Sequence, residues 1–170
     1  MNVRRPTQKK NLSAAVFCRK NHTRKYLLKI ILLIMFAFVI AVANAEQKVP
    51  QITVYKSPTC GCCTKWVKHL EANGFKVEAH NTKEMKSIKQ KIGINGKHQS
   101  CHTGLIGGYY IEGHVPAQDI KRLLAEKPEA AGLSVPRMPM GSPGMEGHRK
   151  DPYSVLLIQK NGDSKVFSSY

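Results

Sequence analysis

The chain has 170 residues, with 27 Lys and Arg against 11 Asp and Glu and a formal net charge of +16. Nine of those cations (Arg4, Arg5, Lys9, Lys10, Arg19, Lys20, Arg24, Lys25 and Lys29) precede Ile30, and no acidic residue stands before Glu46. Without them 18 basic residues face 11 acidic ones, or +7, spread without a basic and aromatic strip; that keeps a small domain soluble and excludes the nucleic-acid-binding class.

The cationic start runs into the apolar stretch "IILLIMFAFVIAV", Ile30–Val42, and then "ANA" at Ala43–Ala45. A basic region, a short apolar core and a small-x-small site make a secretory signal peptide over 1–45. Thirteen apolar residues fall short of the about 20 that a spanning helix needs. The alternative is an uncleaved membrane anchor. Cleavage after Ala45 leaves 46–170 as a single domain, long enough for a core of its own. Export also sets the redox setting of Cys60, Cys62, Cys63 and Cys101.

"QITVYKS" (Gln51–Ser57), rich in β-branched and aromatic residues, predicts a strand. "TKWVKHLEANG" (Thr64–Gly74) has Trp66, Val67 and Leu70 at helical spacing and a terminal Gly. "FKVEAHN" (Phe75–Asn81) alternates as a second strand. "KEMKSIKQKIG" (Lys83–Gly93) puts Met85, Ile88 and Ile92 on one helix face. This order implies a βαβ unit with parallel strands. "INGKHQSCHTGLIGG" follows as a Gly/polar loop carrying Cys101, then a short strand "YYIEG" and a helix "VPAQDIKRLLAEKP". Ala130–Pro152, rich in Pro and Gly, is expected to be irregular. The end, "YSVLLIQKNGDSKVFSSY", predicts a hairpin turning at Asn161-Gly162. The class is α/β: a thioredoxin-like three-layer domain with a mixed sheet, a C-terminal β-hairpin and a Met-rich Pro/Gly loop.

Three cysteines fall within four positions in "SPTCGCCTKW". A CxxC after a first strand, opening a helix in a βαβ pattern, is the thioredoxin-like placement. Amides at a helix start favour a thiolate. Spacing i,i+3 brings Cys60 and Cys63 within reach of each other or of one metal ion, while Cys62 should point elsewhere. Redox dithiol, metal ligand set and structural disulfide all stay open at this point. Three features favour metal. Cys62 offers a disulfide exchanger wrong pairings but a soft metal another ligand. Cys101-His102 lies in the loop expected to approach the CxxC. "MPMGSPGM" supplies the thioethers of Met138, Met140 and Met145. Zinc takes Cys, His and carboxylate, whereas Cu(I) also takes Met. His114 and His148 are expected on the surface, and His69 and His80 as structural residues.

"VYKSPTCGCCTKWVKHLEANGF", "SCHTGLIGGYYIEGHVPA" and "GLSVPRMPMGSPGM" together resemble the exported CopG family of copper-resistance proteins, over essentially all of Gln51–Tyr170. The resemblance implies a thioredoxin-like fold, a periplasmic location and Cu(I) binding, with a copper-coupled thiol-redox role also considered. It places the CxxC ligands on Cys60 and Cys63, the third thiolate on Cys101 and the Met loop on Met138, Met140 and Met145. The chain departs from the family pattern at Arg137, where Gly usually follows the first Pro of that loop. The expected function is Cu(I) sequestration or transfer, with copper, in one or more ions per chain, as the bound species. Other periplasmic copper-handling proteins are the expected partners; nucleic acid is not, and the membrane only if the leader is uncleaved. The expected metal set is Cys60, Cys62, Cys63, Cys101, His102, Met138, Met140 and Met145. The alternative is an oxidoreductase using Cys60 as attacking thiol and Cys63 as resolving thiol.

Overall fold

The computed structural model describes residues 26–34 and 50–170. The chain divides into two units, Met1–Gln47 and Lys48–Tyr170. Of the first, 26–34 is helical. The cleavage pattern and most of the apolar run lie outside the described residues. Among the described residues no helix is long and apolar enough to cross a membrane.

The second unit is mixed α/β. Its seven strands are β1 (Gln51–Lys56), β2 (Lys76–Asn81), β3 (His102–Ile106), β4 (Tyr109–Glu112), β5 (Gly132–Ser134), β6 (Ser154–Ile158) and β7 (Ser164–Ser169). Its α-helices are α1 (Gly61–Ala72), α2 (Met85–Ile92) and α3 (Ala117–Glu126), with one 3-10 turn at Gly96–His98. The strands form one sheet in the order β2-β1-β3-β4-β5-β6-β7. β1 and β2 are parallel, as the βαβ pattern requires, and β4 and β5 are parallel too. The other neighbours are antiparallel.

Because side chains alternate across a strand, register determines which residues form the core. Val54, Gly104, Ile111, Leu133 and Leu157 are successive partners across five strands. That row packs under Trp66, Val67 and Leu70 of α1 and Ile120 and Leu123 of α3. On the other face Tyr110 and Ile158 cluster with Ile94, against Ile92 at the end of α2.

Two expectations need correction. The segment predicted as a Gly/polar loop contains strand β3, and the segment predicted as irregular contains β5. In both, neighbours on each side supply the ladder bonds, and tertiary pairing overrides a weak local preference. Gly104 in "HTGLI" lies between Val54 and Ile111. There is also an addition to the pattern of α2: its buried residue is Lys89, 4% exposed, while Met85, Ile88 and Ile92 are half-buried.

Candidate metal centre

The site is built where α1 starts. Cys60 is the residue before the helix, in extended conformation, and its sulfur accepts from the Cys63 amide at 3.3 Å. A Cys in this position satisfies a helix-start donor otherwise left unpaired. Cys63, one turn on, is fully buried. Cys60 and Cys63 are joined as a disulfide, and Cys62 and Cys101 are free thiols.

The four sulfurs lie within 4.8 Å of one another. Cys62 Sγ is 3.4 Å from Cys60 Sγ, and Cys101 Sγ is 3.2 Å from Cys63 Sγ. Cys62 therefore joins the cluster instead of pointing elsewhere. The reason is local: Cys60 is a cap residue, not a helical one, so helical spacing does not decide which neighbours its sulfur meets. Cys101 stands immediately before β3, which pairs with β1 and so brings it back to the strand that leads into Cys60.

Among the loop methionines, Met138 reaches the thiols: its Sδ is 3.9 Å from Cys62 Sγ and 3.8 Å from Cys101 Sγ, and the residue is 47% exposed. Met140 and Met145 are tied in through their main chains. Met140 exchanges bonds with Asp151, and Met145 bonds with Gly141 and Ser142. The loop docks through Gly144, at φ +88°, where an added Cβ would stand 2.8 Å from the Cys62 carbonyl and 2.9 Å from the Trp66 amide. Only glycine fits so close an approach at that φ.

Two imidazoles complete the site. One ring nitrogen of His102, Nε2, lies 3.0 Å from the Gly113 carbonyl, and one of His114, Nδ1, lies 2.6 Å from the Pro143 carbonyl. A carbonyl only accepts, so these nitrogens carry the protons. That leaves His102 Nδ1 and His114 Nε2 as bare acceptors, 3.6 Å and 4.0 Å from Cys101 Sγ. A ligand histidine held by a backbone carbonyl through its other nitrogen is the common arrangement around metals. Burial, with His114 beside it, holds His102 down to about 3; burial also lowers His114. Both rings are therefore neutral. Burial and the adjacent Cys62 push the Cys101 thiol up to about 11, so a bare thiolate there is unfavourable without a cation.

His114 corrects the surface expectation: it is fully buried. The signal was available in "EGHVP", a His directly after a strand that pairs with the Cys101 segment. His148 is exposed as expected. His69 is structural, accepting the Ala117 amide at the start of α3 at 3.1 Å. His80 bonds Glu78 at the surface. Trp66 packs against His102 with ring centres 4.3 Å apart and the planes tilted by 36°, and donates to the Val115 carbonyl at 2.9 Å.

Reduced, the cluster offers four sulfurs, one thioether and two imidazole nitrogens. This donor set is soft and suits Cu(I). Among the described residues no carboxylate belongs to the cluster, so a hard cation finds no ligand of its kind there. Oxidised, it is a disulfide flanked by two thiols.

The profile of a family described as "Protein of unknown function, DUF411" matches residues 98–145, which carry Cys101, His102, His114 and the Met loop. No curated protein sequence matches the chain. Two solved structures do, both of copper resistance protein CopG, in its form 2 and form 1. Each is 46% identical with a TM-score of 0.69 and covers 72% of this chain; 99% and 98% of those chains are covered in turn. With that identity over almost the whole of both relatives, the chain belongs to the CopG family of copper-resistance proteins.

Proposed function

We propose that the chain is a periplasmic copper-binding protein that takes up Cu(I) as cargo, to sequester it or pass it on, with Cys60, Cys62, Cys63 and Cys101 as the core ligands. The observation that carries this reading is the convergence of four sulfurs within 4.8 Å on a site whose remaining donors are a thioether and two neutral imidazoles. Met138, half in solvent, meets incoming metal. His102, with His114, faces the buried side. Met140 and Met145 hold the loop, with their thioethers as reserve donors. The resident disulfide must first be reduced, because thiolates bind metal. The periplasmic setting rests on the leader over 1–45, and other copper-handling proteins there are the natural donors and acceptors. The thioredoxin-like description rests on the parallel β1–α1–β2 unit with CxxC where α1 begins.

The test is an anaerobic Cu(I) titration of the reduced protein against a competing chelator, with zinc as control. Tight uptake of one or more Cu(I) per chain and weaker retention of zinc is the expected result. Negligible uptake overturns the reading.

One observation favours a second reading, a thiol or copper oxidoreductase. The Cys101 sulfur lies 3.2 Å from Cys63 within the Cys60–Cys63 disulfide. Attack by the Cys101 thiolate on Cys63 Sγ would break the Cys60–Cys63 bond, form Cys63–Cys101 and release Cys60 as thiolate. Once an outside dithiol has reduced the cluster, Cys60, nearest the helix start, would attack an outside disulfide, forming a mixed disulfide and expelling one outside thiolate. Cys63 would then attack Cys60 Sγ, re-forming the Cys60–Cys63 bond and releasing the second outside thiolate. Catalysed reduction of a disulfide or of Cu(II) that survives loss of the Met loop would favour this reading.

A further inference from the structure

Behind the site stands a buried ion pair that the ligand chemistry does not use. Lys89 of α2 and Glu112 at the end of β4 are 4% and 0% exposed, and Lys89 Nζ bonds Glu112 Oε1. The pair is surrounded by its own partners. Glu112 accepts from the Ser100 amide at 2.6 Å and from Thr103 Oγ1 at 2.7 Å. Lys89 Nζ also bonds Thr103 Oγ1 at 2.8 Å and the His102 carbonyl at 3.4 Å. The residues gripped are 100, 102 and 103, on both sides of Cys101. Next along the chain, the Gly113 carbonyl fixes the His102 ring at 3.0 Å.

Stability alone does not account for the pair. Two charges taken out of water cost about as much as their attraction returns, and an apolar pair of the same volume is often neutral or better. An apolar pair would not grip residues 100, 102 and 103. Fully satisfied polar networks specify one arrangement of the groups around them.

We propose that Lys89 and Glu112 are positioning residues for the cysteine site: their hydrogen bonds hold the Ser100–Thr103 segment so that the Cys101 sulfur stays against Cys63 whether or not Cys60 and Cys63 are joined. This rests on the proposed copper function for its purpose, though not for its geometry. An unclamped segment would let Cys101 swing away each time the disulfide opens, and the four-sulfur set would have to reassemble on every binding event.

The test uses the full chain with Lys89→Met and Glu112→Leu together (the double variant), which removes both charges at once, and with Lys89→Met and Glu112→Gln together, which also leaves no unpaired buried charge but keeps an acceptor for the Ser100 amide. Two quantities are read. One is the rate at which iodoacetamide alkylates Cys101 in the copper-free disulfide form, followed peptide by peptide by mass spectrometry. The other is Cu(I) retention against a chelator. In the double variant Cys101 should alkylate about tenfold faster and Cu(I) retention should fall about tenfold, the scale of lost support around a metal ligand. Lys89→Met with Glu112→Gln should return both toward wild type. A folded double variant with both quantities unchanged overturns the proposal. If that variant does not fold, the wild-type Ser100 amide decides: slow hydrogen exchange supports the clamp and exchange at the rate of a free peptide overturns it. If the wild type takes up no Cu(I), the copper function fails while alkylation still judges the clamp.

Discussion

Cys101 and Cys63 are 38 residues apart in the chain, and their sulfurs stand 3.2 Å apart. Cys63 is also bonded to Cys60, so two of the four sulfurs are not thiolates in the oxidised protein. Reduction of that one bond should therefore switch the site on. The reduced protein is expected to hold Cu(I) at least about a hundredfold more tightly than the oxidised one, since the thiolate is the ligand form. Chelator competition on both forms, anaerobically, measures the difference. Equal retention would mean that the disulfide sulfurs are spectators and that Cys62, Cys101 and Met138 bind alone.

His114 presents Nε2 to Cys101 at 4.0 Å while Nδ1 is bound to the Pro143 carbonyl. The ring thus faces the thiols and also anchors the Met loop. His114→Gln should lower Cu(I) retention about tenfold. The exposed His148, changed to Gln, should leave retention as it was. Equal effects from the two, or none from His114, would remove this ring from the site.

Much of this was legible in the sequence, and what was missed has common causes. β1, α1, α3 and β6 follow from periodicities that burial on one face enforces, while the exposed edge strands β2 and β7 were legible from residue alternation and from the Asn161-Gly162 turn. β3 and β5 carry almost no local signal, because "HTGLI" and "GLS" become strands through neighbours far away in the chain. The cysteine cluster was legible from spacing in Cys60 and Cys63. Cys62 was already in the expected metal set, but its approach to Cys60 could not be read from helical spacing, since it depends on Cys60 being a cap residue outside the helix. Among three methionines in one loop, sequence cannot tell which thioether meets a thiol; in the fold it is Met138, whose Sδ reaches Cys62 and Cys101. Lys89 reads as a solvated lysine until Glu112, 23 positions on, is placed opposite it.

Arg137 adopts φ +66°. In this left-handed region a side chain costs roughly 1–2 kcal/mol that glycine avoids. Glycine loses part of that advantage through a freer unfolded chain. Arg137→Gly should therefore stabilise the protein by about 0.5–1 kcal/mol, seen as a higher urea midpoint at unchanged slope. A lower midpoint would mean that the Arg137 side chain contributes contacts worth more than the backbone strain.

Burial holds the His102 pKa at about 3, against 6.5 for an unperturbed ring. Above pH 6.5 the ring is neutral folded and unfolded, and contributes no pH dependence. Between 6.5 and about 3 the unfolded chain binds the extra proton, so stability of the copper-free protein falls as pH falls. The loss from this ring is about 2 kcal/mol at pH 5. His114 and His69, both lowered by burial, act in the same direction. Urea midpoints at pH 7.5 and 5 measure the slope, and His102→Gln should remove its share while keeping a donor for the Gly113 carbonyl. An identical slope in the variant would mean that His102 does not carry this dependence.

Trp66 is the single tryptophan of the chain and is fully buried. It bridges the two halves of the site. Its ring lies against His102, with centres 4.3 Å apart, and its Nε1 donates to the Val115 carbonyl beside His114 at 2.9 Å. Trp66→Phe removes the donor, leaves that carbonyl unpaired in the core, and opens space beside His102. An unpaired buried acceptor alone costs about 1–3 kcal/mol, and the lost ring volume adds to it. The expected loss is about 2–4 kcal/mol, measured by circular dichroism in urea because the variant has no tryptophan emission. Loss of the indole support should also weaken Cu(I) retention more than an equally destabilising change in the distant Ile158 cluster would. Equal effects on copper from the two would make Trp66 a core residue with no special relation to the site.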